Sequence, residues 1–132
     1  MNKQLSLQQP IISINFKRNL IRIHKATLDL LGQPEYIQLL VNPDDRTIAI
    51  MKGISSDVLA HRVYYDRIKK GQSCELYSMN LLQNLMSISS QCETMKAYRI
   101  YGNFLPDYEI VKFSIDECVL FGAERGVNGQ YY

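Results

Sequence analysis

Four basic side chains, Lys17, Arg18, Arg22 and Lys25, crowd into a short stretch near the start of the chain. Their chemistry is anion recognition: ammonium and guanidinium groups neutralise phosphates and release counterions, and a guanidinium can also hydrogen-bond guanine bidentately. Asn15 and Asn19 stand among them and can add neutral polar contacts. The bias extends beyond the cluster. Residues 1–70 hold eleven basic against six acidic residues, residues 71–132 hold four against seven, and the whole chain carries only +2. An anion-facing first half is one reading of that asymmetry; the wet face of an amphipathic hairpin is the other.

Residues for other chemistries are scattered. His24 and His61 are the only histidines and no G-x-S-x-G elbow accompanies them, so a hydrolytic triad is not expected. Asp44 and Asp45 fall in a turn, and neither an HExxH nor an EF-hand pattern occurs, so no metal is expected. The glycines after residue 121 follow no long strand and lack the Gly-Lys-Ser/Thr ending of a phosphate loop. The reading is a protein that is not an enzyme, with no cofactor and no evident small-molecule ligand. Cys74, Cys92 and Cys118 are odd in number and widely spaced, which fits reduced thiols rather than a disulfide framework or a CxxC pair; Cys74 and Cys118 sit among alternating apolar residues, as small buried hydrophobes do. Residues 1–10 are polar where a signal peptide would be apolar, and no stretch approaches the roughly 18–20 apolar residues of a membrane helix. A cytoplasmic protein without a membrane anchor is expected.

The elements that must hold these residues follow from periodicity. With 132 residues, 46% hydrophobic and 21% charged, the chain suits one packed domain. Ile12, Ile14 and Phe16 alternate with Ser13, Asn15 and Lys17, and Ile21 and Ile23 alternate with Arg22 and His24, so residues 11–16 and 20–24 read as a hairpin turning at 17–19. A two-turn helix should follow, stopped by Gly32 and Pro34. Residues 36–41 and 47–51 read as a second hairpin around Asn42, Pro43 and Asp44. Residues 54–60 offer a short helix, 73–78 a strand, and Ser78 an N-cap for a helix whose Leu81, Leu82, Leu85, Met86 and Ile88 share one face. Residues 97–101 and 109–115 read as a third hairpin around Gly102 and Pro106.

The two halves share this order. Ile23 and Leu28 match Leu76 and Leu81 at an offset of 53, while Pro43, Asp44, Ile48 and Ile50 match Pro106, Asp107, Val111 and Phe113 at an offset of 63. The expected fold class is α+β and β-rich: two βαββ repeats, 11–53 and 73–118, packed about a pseudo-two-fold axis into one composite core. A polar lead (1–10) precedes this single domain (11–121), a connector (54–72) joins the repeats, and a flexible tail (122–132) closes the chain. Nine tyrosines and no tryptophan supply packing and interface material: Tyr98 and Tyr101 are read as strand-packed, Tyr131 and Tyr132 as part of the tail.

The segment from Leu20 to Gly32, Leu-Ile-Arg-Ile-His-Lys-Ala-Thr-Leu-Asp-Leu-Leu-Gly, followed by a hairpin through Ile50, resembles the AbrB/MraZ-type swapped-hairpin transcription factors, whose MraZ branch carries its unit twice. The likeness spans residues 12–52 and, more loosely, 73–115. It departs where the family has a proline before the helix and this chain has His24, and where Asp29 replaces a basic helix residue. The resemblance implies DNA binding through Arg22 and Lys25, with Lys17 and Arg18 beside them, by a protein that is a homodimer or larger. The function expected is therefore a cytoplasmic DNA-binding regulator. The alternative is a non-catalytic protein-interaction or oligomerisation module built on edge strands and tyrosines.

Overall fold

The structure, a computed structural model, describes residues 9–121 and two short paired strands, Gly126–Val127 and Gln130–Tyr131. Residues 1–8 of the polar lead and the rest of the expected tail lie outside the described residues.

Alternating Ile residues make the first two strands, β1 (Ile11–Asn15) and β2 (Leu20–Ile23), paired from Ile12↔Ile23 to Asn15↔Leu20. The next hairpin joins β3 (Tyr36–Asn42) to β4 (Thr47–Lys52), from Ile37↔Lys52 to Asn42↔Thr47. The turns of both close by the same chemistry. Asn15 Oδ1 accepts from the Arg18 amide at 3.1 Å and Asn42 Oδ1 from the Asp44 amide at 3.0 Å, while Asn19 (φ 52°) and Arg46 (φ 55°) take the left-handed conformation that lets a four-residue loop rejoin its strand. Between the hairpins, α1 (Lys25–Leu30) ends at Gly32, φ 82°. Its buried Thr27 hydroxyl donates to the Ile11 carbonyl and accepts from the Ile11 amide, both at 3.2 Å, fastening the helix to β1.

Residues 54–60 form turns rather than the expected helix, because Asp57 Oδ1 takes the Leu59 amide at 2.9 Å and competes with a helical bond. The stretch 54–72 also carries structure of its own. In it β5 (His61–Arg62) pairs with β3, and α2 (Tyr65–Lys69) buries Ile68. After β6 (Cys74–Tyr77), Ser78 Oγ accepts from the Leu81 amide at 3.2 Å and starts α3 (Met79–Ile88), which buries Leu82 and Leu85.

The third hairpin differs from expectation. Residues 97–101 (β7, Ala97–Tyr101) pair with β1 and with β10 (Val119–Leu120), not with 109–115. The hairpin partner of β9 (Ile110–Ser114) is instead β8 (Asn103–Leu105), across a turn in which Glu109 has φ 55°. Gly102 causes the change. A Cβ there would lie 2.5 Å from Phe113 Cε2 and 2.8 Å from the Lys112 carbonyl oxygen, so only glycine lets the chain pass over the Phe113 ring as it leaves one sheet for the other.

Two five-stranded antiparallel sheets result, ordered β10-β7-β1-β2-β6 and β5-β3-β4-β9-β8, in an α+β, strand-rich fold. Each mixes strands from both halves of the chain. Their inner faces share one core: Ile12, Ile14, Ile21, Ile23 and Ile100 from the first, Ile37, Ile48, Ile50, Val111 and Phe113 from the second, each with no exposed surface. At about 1.5–3 kcal/mol for each large apolar side chain removed from water, this core dominates the driving force for folding. No described helix is long and apolar enough to cross a membrane.

A cationic face as the candidate functional site

With the inner positions of β1, β2 and β7 filled by isoleucines and Tyr98, the pleat turns every second residue outward. On that outer face the registers Val119↔Arg99, Arg99↔Ser13, Ser13↔Arg22 and Arg22↔Glu75 set five residues side by side across five strands. Directly opposed residues have Cβ atoms about 4.5–5.5 Å apart, so Ser13 sits between two guanidinium-bearing side chains. His24, at the end of β2, reaches Ser13 Oγ through Nε2 at 3.0 Å.

Two adjoining clefts open on this face and share Arg22, Gln72 and Ser73. One, of about 500 Å³, is lined by Arg22, Arg62, Tyr64, Arg67 and Glu75; the other, of about 430 Å³, by Ser13, Arg22, His24, Lys25, Arg99 and Phe121. Five cations converge here, and two are compensated: Arg22 Nε donates to Glu75 Oε2 at 2.9 Å, and Lys25 Nζ to Asp29 Oδ2 at 2.8 Å. Among the described residues Arg62, Arg67 and Arg99 make no ion pair. Aromatic rings hold them instead. The Tyr64 ring lies 4.6 Å from the Arg67 guanidinium carbon and 5.5 Å from that of Arg62, and Arg99 stacks at 4.5 Å over Phe121.

The electrostatics follow. Burial, then the nearby charges of Arg99 and Arg22, hold the His24 imidazole below its ordinary pKa, so it is neutral at pH 7. Burial pushes the Asp29 carboxyl up, but hydrogen bonds from Gln33 and Lys25 outweigh it and keep Asp29 an anion. The face presents the cations, the Glu75 carboxylate paired with Arg22, and the Ser13 hydroxyl 3.0 Å from the neutral His24 imidazole.

Of the sequence-predicted residues, Arg22 and Lys25 lie on this face. Lys17 and Arg18 do not: they are exposed in the turn at the far end of the β1–β2 hairpin and line neither cleft. Asn15 and Asn19 are spent on building that turn. Arg99 joins the face through the β1–β7 pairing, while Arg62 and Arg67, from β5 and α2, line the cleft from outside the sheet, placements absent from local periodicity. Alternation alone does place Arg99 opposite the buried Tyr98 and Ile100.

The thiols are unbridged, as their spacing suggests, but two of them meet in space. Cys74 is buried, and burial raises its pKa to about 11. Cys92 and Cys118, 26 positions apart, meet with sulfurs 3.5 Å apart, and burial and the Cys92 contact push Cys118 up to about 12. Among the described residues no three His, Cys, Asp or Glu side chains gather as a metal site would require. No protein-family model, curated protein or solved structure matches this chain.

Proposed function

We propose that this protein binds nucleic acid, with duplex DNA as the ligand and regulation by occupancy as the mechanism. The observation that carries the reading is the row Arg99, Ser13, Arg22, beside which Lys25, Arg62 and Arg67 line the two adjoining clefts, so that five of the chain's fifteen Lys and Arg side chains converge there. The resemblance to swapped-hairpin transcription factors points to the same first hairpin. In this reading its outer face and the α1 edge make the phosphate contacts, and Lys17 and Arg18 reach a flanking part of the backbone.

The architecture fits two βαββ repeats, 11–53 and 73–118, joined by 54–72 about a pseudo-two-fold axis. The first offset is 63 residues. It relates Pro43 to Pro106, relates the left-handed Arg46 to the left-handed Glu109 (both φ 55°), and joins the directly opposed pair Ala49↔Lys112, where such an axis would pass between β4 and β9. The second offset is 53 residues, and it joins the opposed pair Arg22↔Glu75 between β2 and β6. β1 of the first repeat pairs with β7 of the second, and β5 of the connector pairs with β3 of the first.

A fluorescence-anisotropy titration with mixed-sequence duplex at two salt concentrations, on protein whose oligomeric state is fixed by light scattering, tests the function. Three or four phosphate contacts should give a log-log salt slope of about −3 to −4. Absence of binding at low salt would overturn the reading. A second reading, an oligomerisation module, is favoured by an apolar groove of about 650 Å³ on the outer face of the other sheet, where Leu40, Met51, Leu105, Tyr108 and Ile110 meet. Light scattering that reports a dimer, with loss of that dimer on Met51→Lys, would support it.

A further inference from the structure

We propose that the Arg99 end of the cationic face is a built subsite for one tetrahedral phosphate group. The proposal deepens the nucleic-acid reading, and rests on it only for where the phosphate comes from. It starts from a donor without an acceptor. Arg99 Nε is buried and has no hydrogen-bond partner, and it is the only buried side-chain nitrogen or oxygen so placed among the described residues. Leaving such a group unpaired costs about 1–3 kcal/mol, more for a charged one, and a neighbouring carboxylate is the ordinary remedy. Among the described residues none is at hand: the cleft beside Arg99 has no Asp or Glu in its lining.

The surroundings are those an oxyanion needs. Phe121 covers one side of the Arg99 guanidinium at 4.5 Å, which fixes its plane and keeps water from that side. Ser13 stands between Arg99 and Arg22 in the strand register, and Lys25 closes the cleft at the start of α1. Arg22 spends its Nε on Glu75, so its terminal nitrogens remain to donate. The contact between Ser13 and His24 leaves a free donor in either tautomer. If His24 Nε2–H donates to Ser13, the serine hydroxyl is free to donate; if Ser13 donates to Nε2, the proton stands on His24 Nδ1. Charge-assisted bonds of this kind favour a compact, multiply charged oxyanion over a neutral ligand.

The phosphate can be part of a nucleic-acid strand or of a free phosphorylated compound, and the two are separable. The probe is inorganic phosphate at constant ionic strength, followed by the imidazole NMR signals. The chain has two histidines, so His24 reports the site and His61, outside this cleft, serves as the internal control. The expected result is a saturable shift of His24 with His61 unmoved, and at least a tenfold loss of phosphate affinity in Arg99→Gln. Ser13→Ala, which removes one donor and little volume, should weaken binding several-fold; it keeps the test decisive if Arg99→Gln fails to fold. An unmoved His24, or equal affinity in Arg99→Gln and wild type, would overturn the subsite.

A single-stranded trinucleotide with a 5′-phosphate is compared with the same trinucleotide lacking it. Competition by both assigns the subsite to the backbone phosphodiester. Competition by the phosphorylated form alone assigns it to a terminal or free phosphate. Phosphate binding without duplex binding would sink the nucleic-acid reading and leave the subsite standing; duplex binding unaffected by Arg99→Gln, with His24 silent, would do the reverse.

Discussion

On the outer face of the β10-β7-β1-β2-β6 sheet the middle row reads Val119, Arg99, Ser13, Arg22, Glu75; on the outer face of the β5-β3-β4-β9-β8 sheet one row reads Leu40, Ala49, Lys112, Asn103. Both rows are set by the same pleat over the same core, and both contain cations. They differ in where acceptors stand. Lys112 is held by Asp45 at 3.2 Å, and Asp45, whose carboxyl is kept low chiefly by the Thr47 hydroxyl, belongs to the adjoining turn. Lys112, the cation of that row, is thereby compensated, and the groove beside it is mostly apolar. On the first sheet the row's one carboxylate, Glu75, pairs with Arg22, and Arg99, two strands further on, has no ion pair among the described residues. What distinguishes a binding face from a wet face here is the supply of carboxylates, not the count of Lys and Arg.

The largest effect should come from the shared core, which supports both faces at once. Phe113 is fully buried and packed against Gly102, so Phe113→Ala should cost about 3–5 kcal/mol in urea unfolding, and both faces should lose their properties together. Survival of the cationic face in a variant whose apolar sheet has melted would show that the two sheets fold independently.

The thiol pair touches one face only. Cys118 precedes β10, the strand that borders Arg99, and Cys92 lies in the loop before β7. Peroxide should oxidise the two thiols to a disulfide, each sulfur losing one proton and one electron as the peroxide is reduced to water, with Cys74 left free. Because the Cys118 thiol is held up to about 12, the reaction should be slow at pH 7 and speed up with alkali. Closing a loop of this length is worth at most about 3.5 kcal/mol in the chain-entropy account, and strain reduces it. Peptide mapping checks the pairing. An unchanged unfolding midpoint after oxidation would mean that strain in the native link cancels the entropy removed from the unfolded chain.

Exchanging chemistry between the faces sharpens the comparison further. Arg22→Gln with Arg99→Gln should weaken duplex binding roughly 30- to 100-fold at low salt, about 2–3 kcal/mol for two charge-assisted contacts. Lys17→Gln with Arg18→Gln should cost only a few-fold, and Leu40→Gln with Met51→Gln less than twofold. Equal losses from all three pairs would reduce the face to diffuse electrostatics.

Acidity should act on the cationic face before it reaches the rest of the chain. Burial holds both His24 and His61 below 6.5, and Arg99 and Arg22 lower His24 further. The unfolded chain therefore takes up these protons first as pH falls. Stability should be flat above about pH 7.5, and should decline from about 6.5 downward through the folded-state values. Asp29 and Asp45, whose carboxyls are held low, add their own loss only near and below pH 4. Inorganic phosphate should shrink the His24 part of the decline, since a bound anion favours the imidazolium. Urea midpoints at pH 7.5 and 5.0, with and without phosphate at matched ionic strength, measure it. Lys25, Arg22, Arg99 and Ser13 are the groups around His24 that set its response.

Much of the architecture is legible in local patterns because local chemistry decides it. Ile12, Ile14, Ile21 and Ile23 fix which side of the first hairpin faces the core; Asn15 and Asn42 mark their turns; Ser78 and the Leu81–Leu85 spacing set α3. The misreadings lie where a distant partner decides. Residues 97–101 alternate as any strand does, and their pairing with β1 instead of β9 is permitted by Gly102, whose lack of a Cβ lets the chain cross over Phe113. Asp57 undoes a helix with one side-chain bond. The site divides in the same way. Arg22 and Lys25 are legible because the hairpin is local, whereas Arg99 reaches it through the β1–β7 pairing and Arg62 and Arg67 line its cleft from β5 and α2, which no periodicity encodes.

Lys25 allows the finest test, because it has two roles of different size. It ion-pairs with Asp29 one helical turn on, at 2.8 Å, with its own side chain 62% exposed, and it lines the Arg99 cleft. An exposed i,i+4 pair contributes about 0.3–0.5 kcal/mol, so Lys25→Ala should hardly move the unfolding midpoint. The same substitution removes one of the cations facing the cleft and should weaken duplex binding two- to five-fold, with the salt slope less steep by about one unit. Asp29→Asn separates the roles: it removes the pair, keeps the cation and frees the ammonium, so stability should fall slightly while affinity holds or rises. If both variants changed stability alone, Lys25 would belong to the helix and not to the face, and the contrast between the two sheets would rest on the arginines.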